Sequence, residues 1–384
     1  MKLSFHKTTL KNGLRLIVVP LKNRGSVAIH AFVGVGSRYE DSTNHGIAHF
    51  LEHMAFAGTK ERLGVDLFTQ AIDEIGGSWN ASTSEERVHY YLYVPSSGIG
   101  IALKVLADML LHPFLAQKEI AKQKNIITEE IQSRHDNNAI FCAMEAQKLS
   151  FGDTSIGKNI TGTTDDIKNI TRSKLIRFMR DFYTPDNIVV AVCGDVDLAG
   201  TKERMTALFG SHRGIGKRSY EAAPAAHGKL NVKVTNRDAK QVKIIMLFRS
   251  FSHNDSRLFV RVMLRTILVG YRSSLLRSAL RNKKSLVYSV SMGIRSYRDT
   301  GKMTIYSEFS SKNTQKVIEE IAAVIKCIKT RGVTAEQLRR AKQNCAGKFM
   351  LHLDSANGIA ENVAHEELFM GGSMAPDEYM RGIQ

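Results

Sequence analysis

Gly46-Ile-Ala-His-Phe-Leu-Glu-His-Met-Ala-Phe-Ala-Gly-Thr59 decides how this chain is read. At about 100° per residue, Ile47, Phe50, Leu51 and Met54 line up as an apolar stripe on a helix. His49, Glu52 and His53 then project from the other side, so the helix is expected to bury one face and carry chemistry on the other. Ser42 or Thr43 suits the N-cap and Gly58 the far end. Histidines at i and i+4 stand one turn apart, so both rings reach one Zn²⁺ at about 2.0–2.1 Å. Glu52 leans toward the same point, where a carboxylate takes a proton from water and returns it to a leaving amine. The order H-x-x-E-H is that of an inverted zinc-peptidase motif. His45, one turn before His49, is a rival ligand or a solvated helix-entry residue.

Catalytic zinc usually has three protein ligands and an open position, so a third donor must come from elsewhere. Residues 117–135 read as a helix with Ile120, Ile127 and Ile131 on one side and Glu129-Glu130 near its end. Glu130 lies toward the apolar flank, where it faces another element, while Glu129 points to solvent. Gln123 shares the face of Glu130, two turns earlier.

Composition bounds the rest. With 384 residues and 43% hydrophobic content, the chain has material for two or three domains at roughly 150 residues each. Four scattered cysteines, Cys142, Cys193, Cys327 and Cys345, lack metal-type spacing and predict buried, reduced thiols and a cytoplasmic setting. No apolar run approaches the roughly 20 residues that span a bilayer, so membrane insertion is not expected. The N-terminus has no apolar signal core and leaves little space for a presequence. The net charge of +17 is concentrated between Arg257 and Lys302, where eleven cationic residues meet one acid, Asp299. Arg257, Arg261 and Arg265 form a stripe that reads as a solvated helix face, or as a surface attracting acidic peptides, RNA or anionic membrane. No nucleic-acid module accompanies it, and specific nucleic-acid binding is not expected.

The stretch from Gly46 to Thr59 resembles the active-site block of the pitrilysin/insulinase family of zinc peptidases, which includes the mitochondrial processing peptidase subunits. The family's third ligand lies in an acidic helix downstream, and here 76 residues stand between His53 and Glu130. The resemblance runs through Asn12-Gly-Leu14, Gly76-Gly-Ser-Trp-Asn-Ala-Ser-Thr83, Gly162-Thr163, Tyr183-Thr-Pro-Asp-Asn187 and Gly194-Asp-Val-Asp197. It continues in Leu286-Val-Tyr-Ser-Val290 and Val333-Thr-Ala-Glu-Gln-Leu-Arg-Arg-Ala-Lys342. It implies an α+β fold of two similar sandwich domains, each a mostly antiparallel sheet with helices packed on one face. We place a metal-bearing domain at 1–210, a Gly/Ala-rich linker at 211–228, and a structurally similar repeat without the motif at 229–384, opening with strands at Leu230–Val234 and Val242–Phe248.

By the same resemblance the chain is expected to be a zinc endopeptidase with one Zn²⁺ per chain on His49, His53 and Glu130, and with Glu52 as base. Asn80 and Ala81 would hold an extended peptide at an edge strand. Trp79 either covers that edge, lines a side-chain pocket or joins the core. Arg281, near the end of a helix 273–282, and Tyr288 on the next strand would hold substrate and the oxyanion. Read from the residues alone, they are a helix-end arginine and a half-buried strand tyrosine. In the family two such units face each other, so a homodimer is expected, with Arg281 and Tyr288 acting across it. Active relatives carry a glutamate where Gln123 stands, and glutamine there supplies a hydrogen bond without charge. The alternatives are a non-catalytic scaffold or subunit of the same family, and a basic nucleic-acid or membrane-surface protein.

Overall fold

The computed structural model describes residues 4–59, 65–217, 219–226, 228–372 and 376–384. Arg218 and His227 of the expected linker therefore lie outside the described residues. The chain divides into two compact units, each assembled from separate stretches of sequence: 1–133, 158–221 and 352–375 in the first, and 134–157, 222–351 and 376–384 in the second.

The first unit is built on a six-stranded sheet in the order β1-β2-β6-β3-β5-β4. These strands are β1 His6–Thr9, β2 Arg15–Pro20, β3 Ser26–Val33, β4 Ser78–Thr83, β5 Val88–Pro95 and β6 Ile188–Gly194. All neighbours are antiparallel except β2 and β6. The strand β6, sequence IVVAVCG, is buried throughout, as a near-continuous apolar run in mid-sheet must be when both faces are covered.

Alternation along the strands sorts the two faces. Val27, Ile29, Ala31 and Val33 of β3, Tyr90 and Leu92 of β5, and Val190 and Val192 of β6 share one core. Into that core pack α1 Ile47–Phe56, α3 Ile99–Leu111, α7 Arg172–Phe182 and α8 Leu198–Phe209. Between them the chain also forms α2 Val65–Asp73, α4 Gln117–Asp136, α5 Asn138–Phe151 and α6 Thr164–Lys168. The opposite face, with Ala28, His30, Phe32 and Ala191, is covered by a helix from far along the chain, α13 Ala356–Met370, which packs on β3 and β6. Thus the sheet of this unit has helices on both faces, where the sequence led us to expect one.

The second unit has a three-stranded antiparallel sheet, β7-β9-β8, from β7 Val242–Ser250, β8 Ser289–Ser296 and β9 Gly301–Phe309. Its other elements are α9 Leu258–Arg265, α10 Leu275–Arg277, α11 Thr314–Arg331, α12 Ala335–His352 and α14 Pro376–Ile383. The segment expected as a strand at Leu230–Val234 is not one: it has no ladder partner among the described residues, and Leu230 and Val234 are 90% and 84% exposed. Alternation of apolar residues predicts a strand only where a neighbour accepts its backbone hydrogen bonds.

The expected boundaries at 210 and 229 also need correction. The helix α5 packs on β7 and belongs to the second unit, while residues 352–375 belong to the first. The expected linker is without helix or strand among its described residues. Its Tyr220 and Glu221 are held to the first unit by the buried Arg38, whose guanidinium donates to the Glu221 carbonyl at 3.0 Å and lies over the Tyr220 ring. Arg38 also pairs with Glu86 at 2.6 Å, so a fully buried charge is neutralised where it sits.

Candidate metal centre and active site

The helix α1 forms where the apolar spacing predicts it, and Ile47, Phe50, Leu51 and Met54 are all at most 1% exposed. Its cap differs from expectation. The N-cap is Gly46, at φ +85°, and a Cβ there would stand 2.8 Å from the Thr161 carbonyl oxygen, so only glycine fits. Neither Ser42 nor Thr43 caps the helix. The Glu40 carboxylate does, accepting from the amides of Gly46 and Ala48 at 2.8 and 2.9 Å, where a negative charge also suits the helix dipole. The same carboxylate holds Nδ1 of His45 at 2.9 Å, and His45 is not among the described residues whose ligand atoms converge.

The chemical face of α1 is buried as well. His49 and Glu52 are only 8% and 9% exposed, because α4 and the end of β4 enclose what amphipathicity alone would leave to solvent. On α4, Ile120, Gln123 and Ile127 are buried, and Glu130 continues that inward row at the next step of three residues. Glu129 is exposed, as its angular position requires.

His49, His53 and Glu130 each offer a ligand atom within 4.8 Å of the others. Glu130 Oε2 lies 3.6 Å from Nε2 of His49 and 3.4 Å from Nε2 of His53. Four donors at about 2.05 Å around a tetrahedral ion sit roughly 3.3 Å apart, so these separations match an edge of that polyhedron. The residues present therefore fit a small N₂O-ligated cation. Among the described residues no other histidine, cysteine or carboxylate group forms such a cluster.

The surroundings support the donors. The Nδ1 of His53 lies 3.2 Å from the Gln123 amide oxygen. With Nδ1–H donating there, Nε2 keeps its lone pair for a metal. Burial disfavours the His53 imidazolium, but the hydrogen bond to Glu130 and the charges of Glu52 and Glu130 outweigh it and raise its pKa above the usual value. Burial raises the Glu52 carboxyl likewise, opposed by the Thr83 hydroxyl and by His53. A carboxylate raised toward neutrality is the type suited to take and return a proton.

The other expected residues sit as follows. The strand β4 ends the sheet and pairs with β5 alone among the described strands, so Asn80 and Ala81 lie on an edge strand. Asn80 is exposed and its side chain accepts from the Ala81 amide at 2.8 Å. Trp79 stacks on Phe56 of α1 with ring centres 4.5 Å apart, packing β4 against that helix. Thr83, two residues beyond Ala81 on the same face, donates its hydroxyl to Glu52 Oε2, and sequence reasoning assigned it no role. The signal was the period of two running from Trp79 through Ala81.

In the second unit, the helix expected at 273–282 is a single turn at Leu275–Arg277 followed by wider turns at Ser278–Lys283. Arg281 is exposed, and Tyr288 stands just before β8, its amide donating to the Glu308 carbonyl at 3.0 Å and its ring 64% exposed. Tyr288 is therefore not a half-buried strand tyrosine. The arginine stripe is solvated in part, with Arg257 and Arg265 exposed and Arg261 not. Arg261 is buried and donates to the Phe251 carbonyl at 2.8 Å, Arg265 donates to the Met292 carbonyl at 3.0 Å, and Arg257 pairs with Asp255 at 2.8 Å. Of the four cysteines, all unpaired, Cys193 and Cys345 are buried as expected, but Cys142 is half-buried and Cys327 exposed.

Comparison with known proteins places this geometry. Residues 17–163 match the profile of Insulinase (Peptidase family M16), and residues 169–345 that of the Peptidase M16 inactive domain. The chain is 32% identical over 376 residues to "Uncharacterized zinc protease YmxG" of Bacillus subtilis (strain 168), covering 98% of this chain and 91% of that one. It is 31% identical to an uncharacterised zinc protease of Mycobacterium leprae (strain TN), covering 95% and 82%. Among solved structures, a protease from Helicobacter pylori superposes with TM-score 0.88 at 24% identity, covering 99% and 93%. A peptidase M16 inactive domain from Pseudomonas fluorescens superposes with TM-score 0.91 at 18% identity, covering 99% and 91%. At those identities the two structures speak for the fold alone.

Proposed function

Because the chain belongs to the insulinase family, peptidase family M16, we propose that it is a zinc-dependent endopeptidase acting on extended peptides or unfolded segments. One observation carries the reading: His49, His53 and Glu130 converge within 4.8 Å beside the buried carboxylate of Glu52. His49, His53 and Glu130 would hold one Zn²⁺. When bound, zinc supplies Lewis acidity, polarising a peptide carbonyl and acidifying water.

The chain's own residues do the rest. The exposed outer edge of β4 takes an extended peptide by main-chain pairing, with Asn80 and Ala81 at its register. Glu52 accepts a proton from the attacking water and delivers it to the leaving amine. Gln123 fixes the tautomer of His53. Arg281 and Tyr288, both exposed, are free to donate hydrogen bonds to the developing oxyanion of a site on a second copy, which makes a homodimer the working assembly.

Zinc content and cleavage of a quenched fluorogenic peptide, measured for wild type and Glu52→Gln, test the reading. Retained zinc with turnover lowered by at least about a hundredfold is expected, the lower end of what one positioned acid–base group contributes. Equal turnover in both proteins would sink it.

A further inference from the structure

We infer that Thr83 is a positioning residue for Glu52, fixing the carboxylate through Oε2 and tying its orientation to the edge strand β4. Four observations meet here. The Thr83 hydroxyl donates directly to Glu52 Oε2. Glu52 is 9% exposed, so little water competes for that oxygen. Thr83 is the last residue of β4, held in register opposite Val88 of β5, so its backbone is defined by the sheet. Trp79, on the same face of β4, stacks on Phe56 one helical turn beyond Glu52, giving β4 a second anchor on the same helix.

A glutamate has three rotatable side-chain bonds, and one hydrogen bond to one oxygen removes much of that freedom. The Thr83 backbone bonds the same carboxylate, so one residue at the end of β4 holds it through both hydroxyl and main chain. The inference rests on the peptidase reading and deepens it: a peptide pairing along β4 binds the strand that orients the base. Thr83→Ala would also open a gap beside Glu52, so valine, which keeps the shape and loses the hydroxyl, is the informative change.

Thr83→Val and Thr83→Ser are compared with wild type in zinc affinity, kcat and KM on one fluorogenic peptide, and in crystal structures with and without added zinc. For Thr83→Val, zinc Kd and KM are expected to stay within about twofold, while kcat falls about tenfold or more, the scale of a lost hydrogen bond to a charged group. The Glu52 carboxylate is expected to leave its wild-type position in the valine variant and to keep it in the serine variant, which restores kcat. An unmoved Glu52 in Thr83→Val, a kcat within twofold of wild type, or a serine variant as slow as valine overturns the inference. Glu52→Gln turning over like wild type refutes the peptidase reading instead, and the position of Glu52 in the valine crystal then still decides whether Thr83 places it.

Discussion

At the scale of single residues, the proposed site draws on side chains outside the ligand set. Gln123 is buried on α4 with its amide oxygen 3.2 Å from Nδ1 of His53, and in the proposed site that contact favours the tautomer that frees Nε2. Gln123→Leu is expected to weaken zinc binding about tenfold, within the range for the loss of such an orienting partner, and Gln123→Glu to strengthen it. Competition with a chelating dye measures both, and unchanged affinity in the leucine variant would remove Gln123 from the account. Glu40 is comparable in kind. It occupies the N-terminus of α1 and holds His45, a role hidden from cap rules that look for a serine or threonine next to the helix.

At the scale of elements, α13 covers a pair of buried histidines, His30 of β3 and His89 of β5, on the face of the sheet away from α1. His30 Nδ1 and His89 Nε2 are 2.9 Å apart, and His30 Nε2 lies 2.9 Å from the Asn357 side-chain oxygen on α13. Arg87, which bonds His365 of α13 at 2.9 Å and pairs with Glu361, adds a nearby positive charge. Burial, with Arg87 adding to it, lowers His30 from 6.5 to about 4 even though Asn357 favours its charged form, and burial with its cationic neighbours lowers His89 further. The folded state therefore holds these rings neutral while the unfolded chain protonates them near 6.5, so the unfolded state binds more protons below that pH. Stability is fully present above about 6.5 and is expected to fall as pH drops toward 4, by ~3 kcal/mol from His30 alone. Urea midpoints from pH 7.5 to 4 read this, and His30→Gln should flatten the slope. An unchanged slope in that variant would assign the acid sensitivity elsewhere.

At the scale of the whole molecule, the two units exchange helices: α5 leaves the first half of the chain to pack on β7, and α13 leaves the second half to pack on β3 and β6. Neither half is then a complete folding unit by itself, since a fragment ending near residue 228 would expose the face carrying His30 and Phe32. The proposed assembly gives a further test. If Arg281 and Tyr288 act on the site of a second copy, mixing inactive Glu52→Gln chains with inactive Tyr288→Phe chains restores part of the turnover, up to about a quarter under random pairing in which one of the dimer's two sites is intact. With subunit exchange verified by a mass-tagged chain, no recovery would show that each chain works alone.

The faces that gather the candidate donors, His49 and His53 on α1 and Glu130 with Gln123 on α4, were legible in the sequence because helical spacing is local: residues three or four apart share a face wherever the helix is placed. The alternating core strands and the mixed helix–sheet class were legible for the same reason. Tertiary structure decided the rest. The contact of Thr83 with Glu52 spans 31 residues, and that of His30 with Asn357 spans 327, so no periodic pattern links the partners. The segment Leu230–Val234 carries a strand's pattern with no ladder partner among the described residues, and Arg261 of the arginine stripe looks solvated until the Phe251 carbonyl meets it. Local geometry determines which atoms share a face. Only long-range packing determines what that face meets, because a strand, a buried cation or a neutral histidine depends on partners that the chain brings from elsewhere.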